Sequence, residues 1–196
     1  MDIRISRLIP EHAEDYVTFF DQTNHDDNVY EHKCYCICWS SDNCDNKDFS
    51  TIEKRRKYAR QYVENQNLNG YLAYYDDKVV GWCNANTKSD CLNCENWREY
   101  LDFVPFEEPK SGVKVKSIFC FVIAPEMKRK GIATQLLNRV CDDAVKDGFD
   151  FVEAYPYKNA NPQSTEFGGY QQMYQKCGFS IVFESEDRLV MRKKLK

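Results

Sequence analysis

The chain has 196 residues, 42% hydrophobic and 30% charged, the balance of a single soluble globular domain and not of a disordered or collagen-like chain. Its net charge of −4 has the wrong sign for a phosphate backbone, so no nucleic-acid partner is expected. No apolar run approaches the roughly 20 residues of a membrane span, and the opening MDIRISRLIP lacks an apolar signal core, so a cytoplasmic protein with no membrane partner is expected.

Residues 2–9 alternate polar and apolar and predict a half-buried strand. Pro10 then opens a short helix over 10–22, with Ala13, Val17 and Phe20 at helical spacing. Residues 23–49 have no period and predict a long loop with one helical turn at most. Ser50 and Glu53 have capping-box spacing ahead of a helix whose face carries Ile52, Ala59 and Val63 and which ends near Asn67. Residues 71–75 and 78–86 predict two strands joined at Asp76-Asp77, a tight hairpin. Residues 87–112 predict an inserted loop with a helix near 97–101, and Pro105 and Pro109 rule out regular structure at its end.

The aromatic and β-branched run 115–124 predicts a buried strand ended by Pro125. Ile132, Leu136, Leu137, Val140 and Ala144 share one face of an amphipathic helix that Gly148 closes. A strand over 149–155, a helix over 166–177 and strands over 179–184 and 188–192 follow. The order predicts one α/β (α+β) domain over 1–196, a mixed sheet flanked by helices, with long loops near 23–49 and 87–112.

The ten cysteines are unevenly placed. Cys34, Cys36, Cys38 and Cys44 cluster, Cys91 and Cys94 form a CxxC, and Cys83, Cys120, Cys141 and Cys177 are scattered. In a reducing compartment disulfides are not expected. Cys36, Cys38, Cys91 and Cys94 would supply four thiolates for zinc, with His32, Asp42 or Asp45 as substitutes. There is no second clean CxxC, and small buried hydrophobes are the plainer role, so no metal site is assigned. Trp39, Trp82 and Trp97 lie in or near the same segments, as walls for an acceptor or, for Trp82, as core.

The most informative segment is Lys128-Arg129-Lys130-Gly131-Ile132-Ala133, between a buried strand and an amphipathic helix. Such a turn leaves backbone N–H groups at a positive helix end, where cationic side chains and Gly131 suit a phosphate or pyrophosphate. An ordinary strand–helix turn with a solvated basic face has the same appearance, and the glycine spacing is neither that of a P-loop nor that of a dinucleotide fingerprint.

The stretch from Phe121 to Ala133 resembles the acetyl-CoA-binding segment of the GNAT superfamily of N-acetyltransferases, Arg/Gln-x-x-Gly-x-Gly/Ala after a strand. Tyr174-Gln175-Lys176-Cys177-Gly178-Phe179 resembles that family's later Tyr-x-x-x-Gly-Phe signature, in the right order and at a normal distance. The resemblance covers about residues 115–184. It departs at Lys128, where the family has Arg or Gln, and at Phe167, where many members place an Asn seven residues before the Tyr; the Asn159–Pro162 stretch precedes an apparent insertion, and Asn159 is not assigned that role.

The resemblance implies a mostly antiparallel sheet splayed after its fourth strand and acetyl-CoA as cosubstrate. The strand residues Phe121, Val122 and Ile123 would take the pantetheine, with the backbone of Phe121 and Ile123 pairing as an added strand would. The backbone of Arg129, Lys130, Gly131, Ile132, Ala133 and Thr134 would hold the pyrophosphate. Tyr174 stands at the position that donates a proton to the departing thiolate, a role its phenol suits because the two pKa values are close; a packed, capping aromatic is the alternative. Glu153 projects opposite Val152 and Ala154, where a partly buried carboxylate with a raised pKa would serve as general base; a salt-bridged or substrate-positioning Glu is the alternative. No histidine stands out, since His12, His25 and His32 fall early in the chain. Cys120 reads as a buried strand cysteine more readily than as a nucleophile.

The expected function is acetyl transfer from acetyl-CoA to a primary amine, on a small molecule or a peptide, by direct attack. The alternatives are a non-catalytic CoA-binding sensor of the same fold and a small zinc-binding interaction protein.

Overall fold

Alternation in the first residues becomes a strand because only one face of it finds a neighbour. The computed structural model describes residues 1–24, 29–40, 46–92, 94–100, 102, 112–158 and 167–196. The regular elements are β1 (Arg4–Arg7), α1 (Ala13–Gln22), α2 (Ile52–Glu64), β2 (Gly70–Tyr75), β3 (Lys78–Thr87), α3 (Lys88–Cys91), α4 (Glu95–Tyr100), β4 (Val115–Ile123), α5 (Ile132–Lys146), β5 (Phe151–Ala154), α6 (Gln171–Lys176), β6 (Ser180–Glu184) and β7 (Leu189–Lys194). They form one seven-stranded sheet of order β1-β2-β3-β4-β5-β7-β6, with β4–β5 its parallel pair and the other neighbours antiparallel.

The expected β2–β3 hairpin turns at Asp76 and Asp77, both left-handed at φ 47° and 59°, a geometry that matches strand twist and that Asp tolerates. Several local expectations shift. The α2 cap is Thr51 and not Ser50: its hydroxyl accepts the Lys54 N–H at 3.3 Å. Among the described residues of 23–49 there are two 3-10 turns, Tyr30–His32 and Ile37–Trp39, where one helical turn at most was expected. The last helix is Gln171–Lys176, shorter than 166–177, because left-handed Gly169 delays its start. Pro105, Pro109, Cys44, His25, Asp42, Asp45 and Asn159 lie outside the described residues.

The two faces of the sheet are separated by alternation in β3. Trp82 meets Tyr16 of α1 at 4.9 Å, edge to face. A side chain at the neighbouring Gly81 would instead strike Ile123 and Ile132, the first residue of α5. Helices α1 and α2 therefore cover one face and α5 the other. The main core buries Tyr16, Val17, Leu72, Trp82, Leu136, Leu137 and Val140 between these layers. A smaller cluster of Cys91, Cys94, Trp97, Phe119, Tyr155 and Val190 forms where α3 and α4 fold over β4 and β5.

The feature that positions the site is a fork. β4 and β5 pair only from Val115↔Phe151 to Ile118↔Ala154, yet β4 continues to Ile123. In the β3–β4 register Asn84 faces Cys120 and Ala85 faces Ile118, so Phe119 is an extra residue that bends β4. Beyond Ala154 the other branch follows β7: the Pro156 carbonyl accepts the Leu189 N–H at 2.9 Å and Tyr157 bridges Arg188.

Candidate active site

The basic turn sits at the end of the β4 branch. Arg129 and Gly131 are both left-handed, at φ 62° and 78°. Left-handed residues on either side of Lys130 turn backbone N–H groups outward together, the arrangement of an anion-binding nest. Gly131 is the N-cap of the 15-residue α5, with no side-chain cap and no acidic residue in the first turn. The N–H groups of Ile132, Ala133 and Thr134 thus have no acceptor within the helix. Gln135 is the first to bond back, to the Gly131 carbonyl at 3.0 Å. Lys128, Arg129 and Lys130 are exposed, and among the described residues Arg129 and Lys130 form no ion pair. Cations at a helix N-terminus oppose its dipole, by about 0.3–1 kcal/mol each, unless an anion lies between. A β-carbon at Gly131 would meet nothing within 4 Å, so its positive φ, and not crowding, calls for glycine.

The edge of β4 inside the fork differs from the expectation in one bond. Ala124 donates to Val80 on the β3 side, so by alternation the amides of Phe121 and Ile123 face the fork. The Phe121 amide is not free, because it donates to the Phe167 carbonyl at 2.6 Å. Phe167 is held in place by its neighbour: Tyr174 Oη donates to the Gly168 carbonyl at 2.7 Å. Tyr174 is fully buried, 6.5 Å from Phe121 and 5.3 Å from Phe179 between ring centroids. Burial pushes its pKa well above 10, which keeps the phenol protonated. The turn, the β4 edge and Tyr174 therefore converge on one fork, while the phenolic proton points at Gly168.

Glu153 lies deeper than expected. Paired positions place Asn86, Ser117, Glu153 and Arg192 in one row across β3, β4, β5 and β7. The Glu153 carboxylate is wholly buried and accepts from Lys88 Nζ, from Tyr155 Oη at 2.7 Å, and from Arg192 Nε at 2.8 Å and Nη2 at 2.6 Å. Ser117 Oγ lies 2.9 Å from the same Tyr155 hydroxyl. Burial alone would raise the pKa of Glu153, but Lys88, then Arg192 and Tyr155, outweigh it and hold the acid below the usual carboxylate range. The raised pKa expected of a general base is thus not found, since two cations stabilise the ionised form.

The sequence model of the Acetyltransferase (GNAT) family matches residues 10–179. The chain belongs to this family. Among solved structures, the GNAT domain of S. lividans PAT is similar over 98% of this chain and 90% of its own, with a TM-score of 0.60 at 12% identity. An N-acetyltransferase from Staphylococcus aureus Mu50 aligns over 100% of both chains, TM-score 0.55 at 14% identity. The structure of yncA from Salmonella typhimurium with its cofactor acetyl-CoA aligns over 100% of this chain and 95% of its own, TM-score 0.54 at 12% identity. At such identities the likeness is one of fold. A search of curated protein sequences finds no match.

Among the described residues of this GNAT chain no group of three or more His, Cys, Asp or Glu is placed to hold an ion. Cys91 and Cys94 pack in the smaller cluster and Cys36 in the main core. None of the described cysteines is in a disulfide. Cys120 is buried, and a hydrogen bond with Cys36, then burial, pushes its pKa well up, which suits a packed thiol and not a nucleophile. Trp39 stacks on Phe119 at 3.8 Å, and its carbonyl accepts from Asn84 and Asn86 Nδ2, each at 3.1 Å. Among the described residues no helix is long and apolar enough to cross a membrane. Lys88, Tyr155, Arg192 and the two asparagines were not foreseen; the signal lay in strand register, which a linear reading does not display.

Proposed function

We propose that this GNAT chain is an N-acetyltransferase that moves an acetyl group from acetyl-CoA to a primary amine by direct attack. The observation that carries the reading is the turn at 128–134, where left-handed Arg129 and Gly131 present uncapped amides and exposed cations beside the open edge of β4. A pyrophosphate fits that chemistry. Acetyl-CoA, which yncA binds in its structure, supplies the activated acyl group.

Arg129 to Thr134 would hold the diphosphate through backbone N–H groups and flanking charge. Ile123, and not Phe121, offers the edge amide to the pantetheine, since Phe121 already bonds to Phe167. In the reaction the amine nitrogen bonds to the acyl carbon, the carbon–sulfur bond breaks, the amine loses a proton and the thiolate gains one. Tyr174 holds a proton at Oη; rotation about its Cζ–Oη bond, away from Gly168, would redirect it. Glu153, held by two cations, is better suited to fixing the fork than to taking a proton.

Release of free thiol from acetyl-CoA across a panel of primary amines tests the reading. Thiol release that depends on the amine supports transfer. The engagement of both Tyr174 and Glu153 favours a CoA-binding sensor as the second reading. Tight CoA binding with no thiol release from any amine would decide for it.

A further inference from the structure

A small cleft with about 20 Å³ of room opens on the α1 side of β4, lined by Phe20, Thr23, Asn24, Lys33, Cys34 and Val122. Val122 places it at the fork, between the two residues whose amides face the β4 edge. Its walls are apolar at Phe20 and Val122, and its one basic lining residue is Lys33, only 4% exposed.

The Lys33 ammonium donates to the Asp21 carbonyl and lies 4.9 Å from the centre of the Tyr30 ring. Among the described residues no carboxylate pairs with it. Asp21, whose backbone it touches, directs its own carboxylate elsewhere: Arg56 Nε lies 2.9 and 3.1 Å from its oxygens and Tyr35 Oη donates to it at 2.7 Å. Cys34 supplies no negative charge either, since burial and the neighbouring Cys36 push its thiol up to about 12. A buried cation that lacks a counter-charge is costly to keep, and the cost is offset when a ligand brings the missing anion.

We propose that Lys33 anchors an oxyanion carried by the acceptor, so that the substrate is a small amine bearing a carboxylate or phosphate, of the amino-acid type. This rests on the acetyltransferase reading above. The cleft is far smaller than the roughly 300–1,000 Å³ that drug-sized ligands occupy, so it takes only the oxyanion end of the acceptor, and it opens where an amine would approach the β4 edge. The anion at Lys33 fixes one end of the acceptor, and Phe20 and Val122 exclude water around it. A site built around an ion partner discriminates strongly against analogues that lack the ion.

The test compares matched acceptors: amino acids against their carboxamides, and phosphoethanolamine against ethanolamine. The anionic member of at least one pair should be favoured about 30-fold or more in kcat/KM. The pair that shows the preference identifies the oxyanion. Lys33→Met should erase the preference by raising KM for the anionic member far more than for the neutral one, and Lys33→Arg should restore part of it. Equal or better turnover of the neutral members, or a preference that survives in Lys33→Met, would overturn the proposal. So would acetylation of Lys33 itself on incubation with acetyl-CoA alone, read by mass spectrometry, because the amine would then be an acceptor. If no amine releases thiol, the acetyltransferase reading fails by itself. Calorimetric titration with N-acetyl amino acids and their carboxamides then still tests the anchor, which requires carboxylate-dependent heat that Lys33→Met abolishes.

Discussion

The turn at 128–134 and the row around Glu153 both gather charge along the central strands, but they use it in opposite ways. In the turn, Arg129 and Lys130 are exposed and form no ion pair among the described residues, and the first amides of α5 have no cap. Around Glu153 every carboxylate oxygen has a donor and the acid is wholly buried. The first region leaves its hydrogen-bonding capacity to something outside the chain; the second uses it to join α3, β5 and β7 where the sheet divides. Charge that the fold does not use is the better guide to a ligand.

Glu153→Gln should break the contrast most strongly, because it leaves Lys88 and Arg192 without their counter-charge. A stability loss of about 3–5 kcal/mol at neutral pH is expected from denaturant titration, moderated by the partial exposure of Arg192. The folded-state pKa of Glu153 is depressed, so its charge stabilises the protein above the unfolded carboxylate range, near ~4.3, and that contribution is lost as pH falls through the folded value. The gap between wild type and Glu153→Gln should therefore narrow in acid. A variant as stable as wild type whose kcat rises with pH would return Glu153 to the role of base.

Tyr174→Phe should lower kcat about 100-fold if the hydroxyl protonates the thiolate, with CoA affinity nearly intact. It should also cost about 1–3 kcal/mol of stability, because the buried Gly168 carbonyl loses its donor. The stability loss without the rate loss would make Tyr174 a brace for the 167–169 segment and nothing more. Gly131→Glu forces a side chain into a left-handed position and sets a carboxylate against the diphosphate. Calorimetry should show CoA binding weaker by about 2–3 kcal/mol. Unchanged affinity in the folded variant would move the cofactor away from this turn.

Arg129→Gly is the mildest test, and its two effects have opposite signs. Removing the side chain relieves a left-handed non-glycine residue, so thermal unfolding should shift upward by the equivalent of up to about 1 kcal/mol. CoA affinity should fall less than about tenfold, and the loss should shrink at high salt. An equal loss at all salt concentrations would mean that Arg129 contributes by shape and not by charge.

The contrast also explains what could be read in advance. The hairpin at Asp76-Asp77, the amphipathic face of α5 and the Lys128–Ala133 turn are contiguous in the chain, so local spacing reveals them. The Phe167–Phe121 bond and the row through Asn86, Ser117, Glu153 and Arg192 exist only once strands are in register, and Lys88 reaches Glu153 across 65 positions. Glu153 could be placed on the correct face of β5 from its apolar neighbours, but its charge state depended on partners from other strands. Lys33 was equally hidden, because a loop lysine reads as solvated. Arg55 makes the difference by donating to the carbonyls of Glu31, Lys33 and Phe49, which ties the loop to α2.

The thiols carry a consequence for how the protein ages. Cys36, Cys83, Cys91, Cys94, Cys120 and Cys141 are buried in the native state. In the folded protein, packing shields these sulfurs from oxidants. Unfolding exposes all of them at once, and in a chain held open by heat their oxidation in air competes with refolding. Heating without reductant should therefore give a melting temperature that depends on scan rate and a lost second scan. A reductant should restore reversibility without altering the fold.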